Sequence, residues 1–299
     1  MDKLQKSKKY RLEAGGKAFS FICTMVVLVV VVSIIYMVTS KGLATFFVNK
    51  INPLDFFFSS DWNPGQKDAY GKPLVGALPM ILGSFAVTAI STLFATPLAI
   101  AASIFVVEYN PKLGKKVIQP AIELLVGVPS VVFGLIGLYV VVPFIRNIHG
   151  GTGFGIFAAS VVLTVMVLPT ITSIAISALQ NVDRGQKEGA LALGASRWQM
   201  IYKVSLHNAK SGILTGIVLG MARAFGEALA VQMVIGNTAV LPKSLFNSAS
   251  TLTSILTMNM GNTIQGQLEN NVLWSLAMVL LLMSLFFITV IHKIGRKTN

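Results

Sequence analysis

The sequence predicts an all-α integral membrane protein with six membrane-crossing helices and both termini in the cytoplasm. Three observations carry that expectation. Only 12% of the 299 residues are charged and 54% are hydrophobic, against about 25% charged in soluble domains, and mean hydropathy is +0.73. Six apolar stretches reach the roughly 20 residues that a bilayer crossing needs. The basic residues fall unequally on the two sides that these stretches define.

The first stretch, 18–40, carries no charge and follows Lys3, Lys6, Lys8, Lys9, Arg11 and Lys17. It exceeds the roughly 7–15 apolar residues of a secretion signal, and no small-x-small cleavage site follows, so it is expected to remain as a helix. The next stretches are 79–107, uncharged, and 117–144, with Glu123 alone. Then come 154–179, uncharged, 212–235, with Arg223 and Glu227, and 272–291, uncharged. Pro97 and Pro169 are expected to kink or end their helices. An even number of crossings places both termini together. That side holds 17 of the 24 Lys and Arg, in the N-terminus, 108–116, 180–211 and the C-terminus; the other side holds six, and Arg223 lies within a span. The richer side is the cytoplasm.

The resulting plan is a basic N-terminus at 1–17, a first helix at 18–40 and an outer segment at 41–74. A five-helix core at 75–292 follows, with a cytoplasmic loop at 180–211 and an outer loop at 237–271, and 293–299 forms a cytoplasmic tail. Phe46, Phe47, Phe56, Phe57, Phe58 and Trp62 mark the outer segment as an aromatic belt with a short interfacial helix, or as a docking surface for an external partner. Residues 251–260 of the second outer loop have a helical pattern.

Several function classes lose support. A net charge of +13 would suggest nucleic acid in a soluble protein, but here it follows topology. Cys23 has no partner cysteine, and His149, His207 and His292 are too scattered for metal spacing. No nucleophile or acid pair suggests a membrane-embedded enzyme. No GxxxxGK[ST] phosphate loop occurs, so an energy source must lie on another chain.

Arg223 and Glu227 stand four apart in Met221-Ala-Arg-Ala-Phe-Gly-Glu-Ala228, a spacing that places them on one helix face and lets them pair. A lone charge at mid-span costs about 2.5–3.5 kcal/mol on insertion scales, so both should face protein or water. The pair reads as a structural ion pair or as a substrate-path site. In the second case the planar guanidinium suits a tetrahedral oxyanion, and Glu227 holds the arginine between transits. Gly127-Val-Pro-Ser130 interrupts its span, which means close helix packing or a broken helix lining a pore. Ser130 and Thr170 are then candidate oxyanion donors. Glu123, two turns into its span, reads as structural.

The segment Glu188-Gly-Ala-Leu-Ala-Leu-Gly-Ala-Ser196, followed by Arg197, Trp198, Lys203 and His207, resembles the cytoplasmic coupling loop of ABC-importer permeases. That pattern is Glu-Ala-Ala, three residues, Gly, nine residues, Ile-x-Leu-Pro. Glu188, Ala190, Gly194 and Leu206 match it, whereas Gly189, Val204 and His207 replace Ala, Ile and Pro. Glu123-Leu-Leu-Val-Gly-Val-Pro-Ser-Val-Val-Phe-Gly-Leu135, Arg223-Ala-Phe-Gly-Glu-Ala-Leu-Ala-Val231, and Trp62-Asn-Pro64 ahead of Leu78-Pro79 add a likeness to C-type permeases of phosphate-specific importers. The resemblance implies a type I ABC importer permease fold in the cell membrane, and a subunit that is not itself an enzyme. It also implies an A-type permease as heterodimer partner, two ATP-binding subunits below and an extracytoplasmic phosphate-binding protein above. ATP and Mg would be used by the ATPase partners, with no cofactor on this chain. Glu188, Gly189, Ala190, Leu193, Gly194, Arg197 and Leu206 become the candidate ATPase-coupling residues, and Arg223, Glu227, Ser130 and Thr170 the substrate path. A permease for sulfate or molybdate and a stand-alone anion channel are the alternatives. Competitive uptake separates the first, and flux without ATP the second.

Overall fold

The computed structural model describes residues 2–296. Lys297, and the side chains of Lys3, Lys6, Lys8, Lys9, Arg11 and Arg296, lie outside what is described. Helix α1 (Asp2–Phe47) is far longer than the expected 18–40 crossing. At 1.5 Å per residue it runs about 69 Å, so it spans the bilayer and projects beyond it. Residues 15–37 are exposed throughout. Among the described residues its C-terminal end packs, mainly against α14 (Leu268–Arg296). There a Cβ on Gly42 would lie 2.9 Å from Met278 Cβ and 3.0 Å from the Trp274 carbonyl, and the Ser275 hydroxyl donates to the Gly42 carbonyl at 2.6 Å.

The outer segment is more structured than a belt. Asn52 caps α2 (Pro53–Phe58), whose first residue is a proline with no N–H to satisfy. Phe56 is fully buried and meets Phe46 and Phe57 edge-on at 5.4 and 5.2 Å. The aromatic run is therefore partly a small core, while Phe47 and Phe58 remain exposed. Strands β1 (Trp62–Lys67) and β2 (Pro73–Val75) form an antiparallel hairpin, an addition to the otherwise helical plan.

Helix α3 (Leu78–Ile104) continues as a π-helical turn, Phe105–Tyr109, and contains Pro97 without ending there. The chain reverses through α4 (Pro111–Leu113) and a second π-turn into α5 (Gln119–Gly127). Gly114 makes that reversal possible, since a Cβ would stand 2.5 Å from Val106 Cα. The expected 117–144 crossing is not one helix. Val128 and Pro129 are extended, with ψ of 127° and 140°. Proline has no N–H to donate and drives its predecessor out of helical geometry. The membrane-length segment is instead 130–149, built from α6 (Ser130–Ile136), a π-turn and α7 (Val142–His149).

Helix α8 (Ile156–Gln180) is the central element and passes through Pro169 unbroken. Helices α3 and α11 (Leu206–Gly226) pack along it. Gly212, Gly216 and Gly220 form a one-turn stripe on α11. A Cβ at Gly212 would meet Ala178 Cβ at 2.5 Å, and one at Gly220 would meet Ile171 Cγ1 at 2.7 Å, so the glycines let two backbones approach as in small-xxx-small membrane packing. The expected 212–235 helix breaks after Gly226, and α12 (Leu229–Ile235) leaves at 64°. The outer 237–271 segment then folds back inward. Helix α13 (Leu252–Asn259) starts at a Thr251/Ser254 capping box, and its Leu252 N–H donates to Ser84 Oγ of α3 at 2.9 Å. Among the described residues five helices are long and apolar enough to cross a membrane, or six with the bent pair counted as one.

Candidate substrate path and coupling segment

Arg223 occupies the last turn of α11, and Glu227 is the residue at which that helix ends, with extended ψ of 122°. Among the described residues the expected i,i+4 ion pair does not form: the Glu227 carboxylate is turned to the Ala230 N–H at the start of α12. The Arg223 guanidinium donates instead to Thr170 Oγ1 at 2.9 Å. Thr170 lies ten residues from the inner end of the 25-residue α8, about 15 Å along the axis, near mid-span. Arg223 and Thr170 are both half-buried. Among the described residues this is the one hydrogen bond that engages the arginine, so most of its five N–H donors are uncommitted. The glycine stripe explains the meeting: it presses α11 onto α8 until the next turn delivers Arg223 to Thr170.

Glu227 has other partners. Its Oε1 accepts from the Ala230 N–H at 3.1 Å, at the start of α12, and its carbonyl accepts from Thr253 Oγ1 at 2.9 Å. A carboxylate at a helix start satisfies orphan N–H groups. Ser130 opens α6 just beyond the other break and is half-buried. It forms no hydrogen bond to Arg223, Glu227 or Thr170 among the described residues. The two broken helices meet nonetheless: a Cβ on Gly134 of α6 would lie 2.9 Å from Ala230 Cα of α12. Glu123 is exposed and accepts from Gln119 Nε2 at 3.1 Å.

On the opposite end, Asp183 caps α9 (Arg184–Ala192) through the Gly185 N–H at 2.8 Å. Gly194 adopts φ +82°, left-handed geometry that glycine enters without cost. The Gly194 N–H then bonds to the Leu191 carbonyl at 3.0 Å and the Ala195 N–H to the Ala190 carbonyl at 3.1 Å, which closes the helix C-terminus. Ser196 and Gln199 form a capping box for α10 (Arg197–Met200), and a π-turn, Ile201–Ser205, leads into α11. Glu188, Gly189 and Gly194 are exposed, and no atom lies near a Cβ at either glycine. Leu193 is 91% and Trp198 66% exposed, so this helix-turn-helix presents apolar side chains outward. Leu206 faces inward, onto the Ala175–Leu179–Ile213 cluster.

Sequence reasoning passed over Glu108. It is 8% exposed, and its Oε1 stands 2.7 Å from Lys187 Nζ of α9. Arg197 donates to the Glu108 carbonyl and, at 3.0 Å, to that of Tyr109. The signal was available: Glu108 is the acid that ends an uncharged run and opens a segment whose other charges are Lys112, Lys115 and Lys116.

A family model described as "Binding-protein-dependent transport system inner membrane component" matches residues 95–298. The Bacillus subtilis (strain 168) "Probable ABC transporter permease protein YqgH" is 51% identical over 95% of this chain and 91% of its own length. The Mycobacterium tuberculosis phosphate transport system permease protein PstC 1 is 35% identical over 74% of this chain and 72% of its own. Among solved structures, a bacterial alginate ABC transporter in complex with a pentasaccharide-bound periplasmic protein superposes with TM-score 0.62 at 15% identity, covering 93% of this chain and 94% of that one. The MetNI methionine ABC transporter in an inward-facing conformation gives 0.59 at 19%, covering 74% and 96%. At these identities the structures speak for the fold.

Proposed function

From the premise that this chain belongs to the family of binding-protein-dependent transport system inner membrane components, with the fold of ABC importer permeases, we propose that it is the permease subunit through which an ATP-driven importer moves inorganic phosphate into the cytoplasm. It is a multi-pass membrane subunit and not itself an enzyme. Both termini and the 184–200 helix-turn-helix face the cytoplasm, and the hairpin and α13 side face out. Its working complex includes an A-type permease, two ATPase subunits that use ATP and Mg, and an external phosphate-binding protein.

The observation that carries the substrate is the Arg223–Thr170 contact at mid-span. A half-buried guanidinium with free donors and, among the described residues, no ion pair requires an anion or water. Its planar fork and the adjacent hydroxyl suit a tetrahedral oxyanion. Phosphate permeases among the relatives at 31–35% identity favour phosphate within that class. The mechanism this supports is alternation. The ATPases close on ATP, pull on the outward-facing Leu191, Leu193 and Trp198 surface, and α11 carries the motion to its last turn. There Arg223 takes the anion from the outer side and releases it inward.

The test is uptake into vesicles by the reconstituted complex, with labelled phosphate competed by sulfate and by molybdate. Phosphate uptake that requires ATP and resists excess sulfate supports the reading. Preferential sulfate or molybdate uptake reassigns the substrate, and flux without ATP refutes the importer.

A further inference from the structure

We propose that Glu108 is a positioning residue that locks α3 to the coupling segment, so that force applied to α9 and α10 moves α3 as well as their chain neighbours α8 and α11. The proposal rests on the import function above. Its geometry is a three-way joint. Lys187 of α9 places its Nζ 2.7 Å from the Glu108 carboxylate and 3.3 Å from the Leu179 carbonyl in the last turn of α8. The side chains of Lys187 and Glu108 are 15% and 7% exposed. From α10, Arg197 reaches the Glu108 and Tyr109 carbonyls and lies 5.8 Å over the Tyr109 ring. The ion pair to Glu108 and the two Arg197 hydrogen bonds join residues 79 to 89 positions apart in sequence, and they are the polar links from α9 and α10 to α3 among the described residues.

Two physical points make this a joint rather than a decoration. A carboxylate this buried is tolerable only while paired, because separating it from its cation leaves an uncompensated charge. The link therefore resists opening under load, unlike an exposed pair. The receiving end is also placed to matter. Helix α3 packs along α8, where Thr164 Oγ1 lies 3.3 Å from the Ser91 carbonyl, and α8 carries Thr170. A displacement entering at Glu108 thus reaches α8, the helix that carries Thr170.

The experiment uses the full complex in lipid vesicles, with Cys23→Ser as background and spin labels on Leu98→Cys of α3 and Leu285→Cys of α14, both exposed. The distance between the labels is measured without nucleotide and with ATP bound, alongside the ATP hydrolysed per phosphate imported. The joint predicts an ATP-linked change in the parent that is lost in Glu108→Gln and in Lys187→Met. Hydrolysis persists in both, and ATP spent per phosphate rises by at least about fivefold, the low end of typical coupling energies. The charge-swapped Glu108→Lys/Lys187→Glu protein recovers both readouts. An unchanged displacement in Glu108→Gln overturns the proposal, and so does a swap no better than the single variants. The label distance does not depend on which anion is carried. A parent that imports no phosphate yet shows the ATP-linked change refutes the phosphate reading and leaves the joint standing.

Discussion

On the function proposed above, Arg223 is the side chain on which substrate handling turns. Losing one charge-assisted hydrogen bond costs about 1.5–3 kcal/mol, so Arg223→Gln should cut uptake by at least about tenfold in protein that still assembles. Arg223→Lys keeps the charge but not the fork and should fall in between. Thr170→Ser should transport close to wild type, whereas the near-isosteric Thr170→Val removes the Oγ1 that accepts from Arg223 and should resemble the arginine variants. Uptake normalised to complex recovered from the membrane reads all four. The residue types were legible in sequence; their partners were not. Spacing of four implies a shared face, but the helix break after Gly226 offers the Glu227 carboxylate an orphan N–H at Ala230, and the two side chains take different partners. The Thr170 contact joins residues 53 apart, which no local pattern reveals, and Glu108 is buried by a lysine 79 positions away.

At the scale of elements, glycines decide how helices meet. Gly134→Val must push α6 from the Ala230 backbone, and overpacking of this kind costs about 1–3 kcal/mol. The expected result is a lower melting midpoint of the purified complex. Gly194 is different, because nothing crowds it. Its φ of +82° costs a branched residue about 1–2 kcal/mol, paid in a reshaped turn on the coupling surface. Gly194→Val should therefore insert normally and uncouple ATP hydrolysis from uptake; unchanged uptake would count against the docking role. Hydropathy found the apolar runs but set one crossing at 117–144, where the membrane-length segment is 130–149. It could not place the breaks, since a bend of 64° leaves mean hydropathy unaltered. Pro129 broke its span and Pro97 and Pro169 did not. The difference lies in position: Pro129 opens α6 after an extended Val128, while the other two sit inside helices held on several sides. The glycine stripe at 212, 216 and 220, which sets the α8–α11 approach, became visible only in the structure.

For the whole molecule, the orientation and partners proposed above rest on surfaces that this chain leaves uncovered. Residues 19–37 of α1 expose apolar side chains over a bilayer's thickness and suit lipid or a neighbouring permease. Leu193 and Trp198 are exposed at the other kind of surface, a polar loop end. In intact cells carrying a Cys23→Ser background, Leu193→Cys should resist a membrane-impermeant thiol reagent and Tyr70→Cys, in the outer hairpin turn, should react; the reverse pattern would invert the topology. The proposed function has an arginine at mid-span, with no ion pair among the described residues, pass an oxyanion under ATPase control. Its most direct measurement is ATP-dependent uptake of labelled phosphate by the complex of both permeases, ATPases and binding protein, with Arg223 and with Arg223→Gln. The account predicts robust uptake with the arginine and loss of most of it without, at equal assembly. Wild-type uptake by the glutamine variant would contradict it.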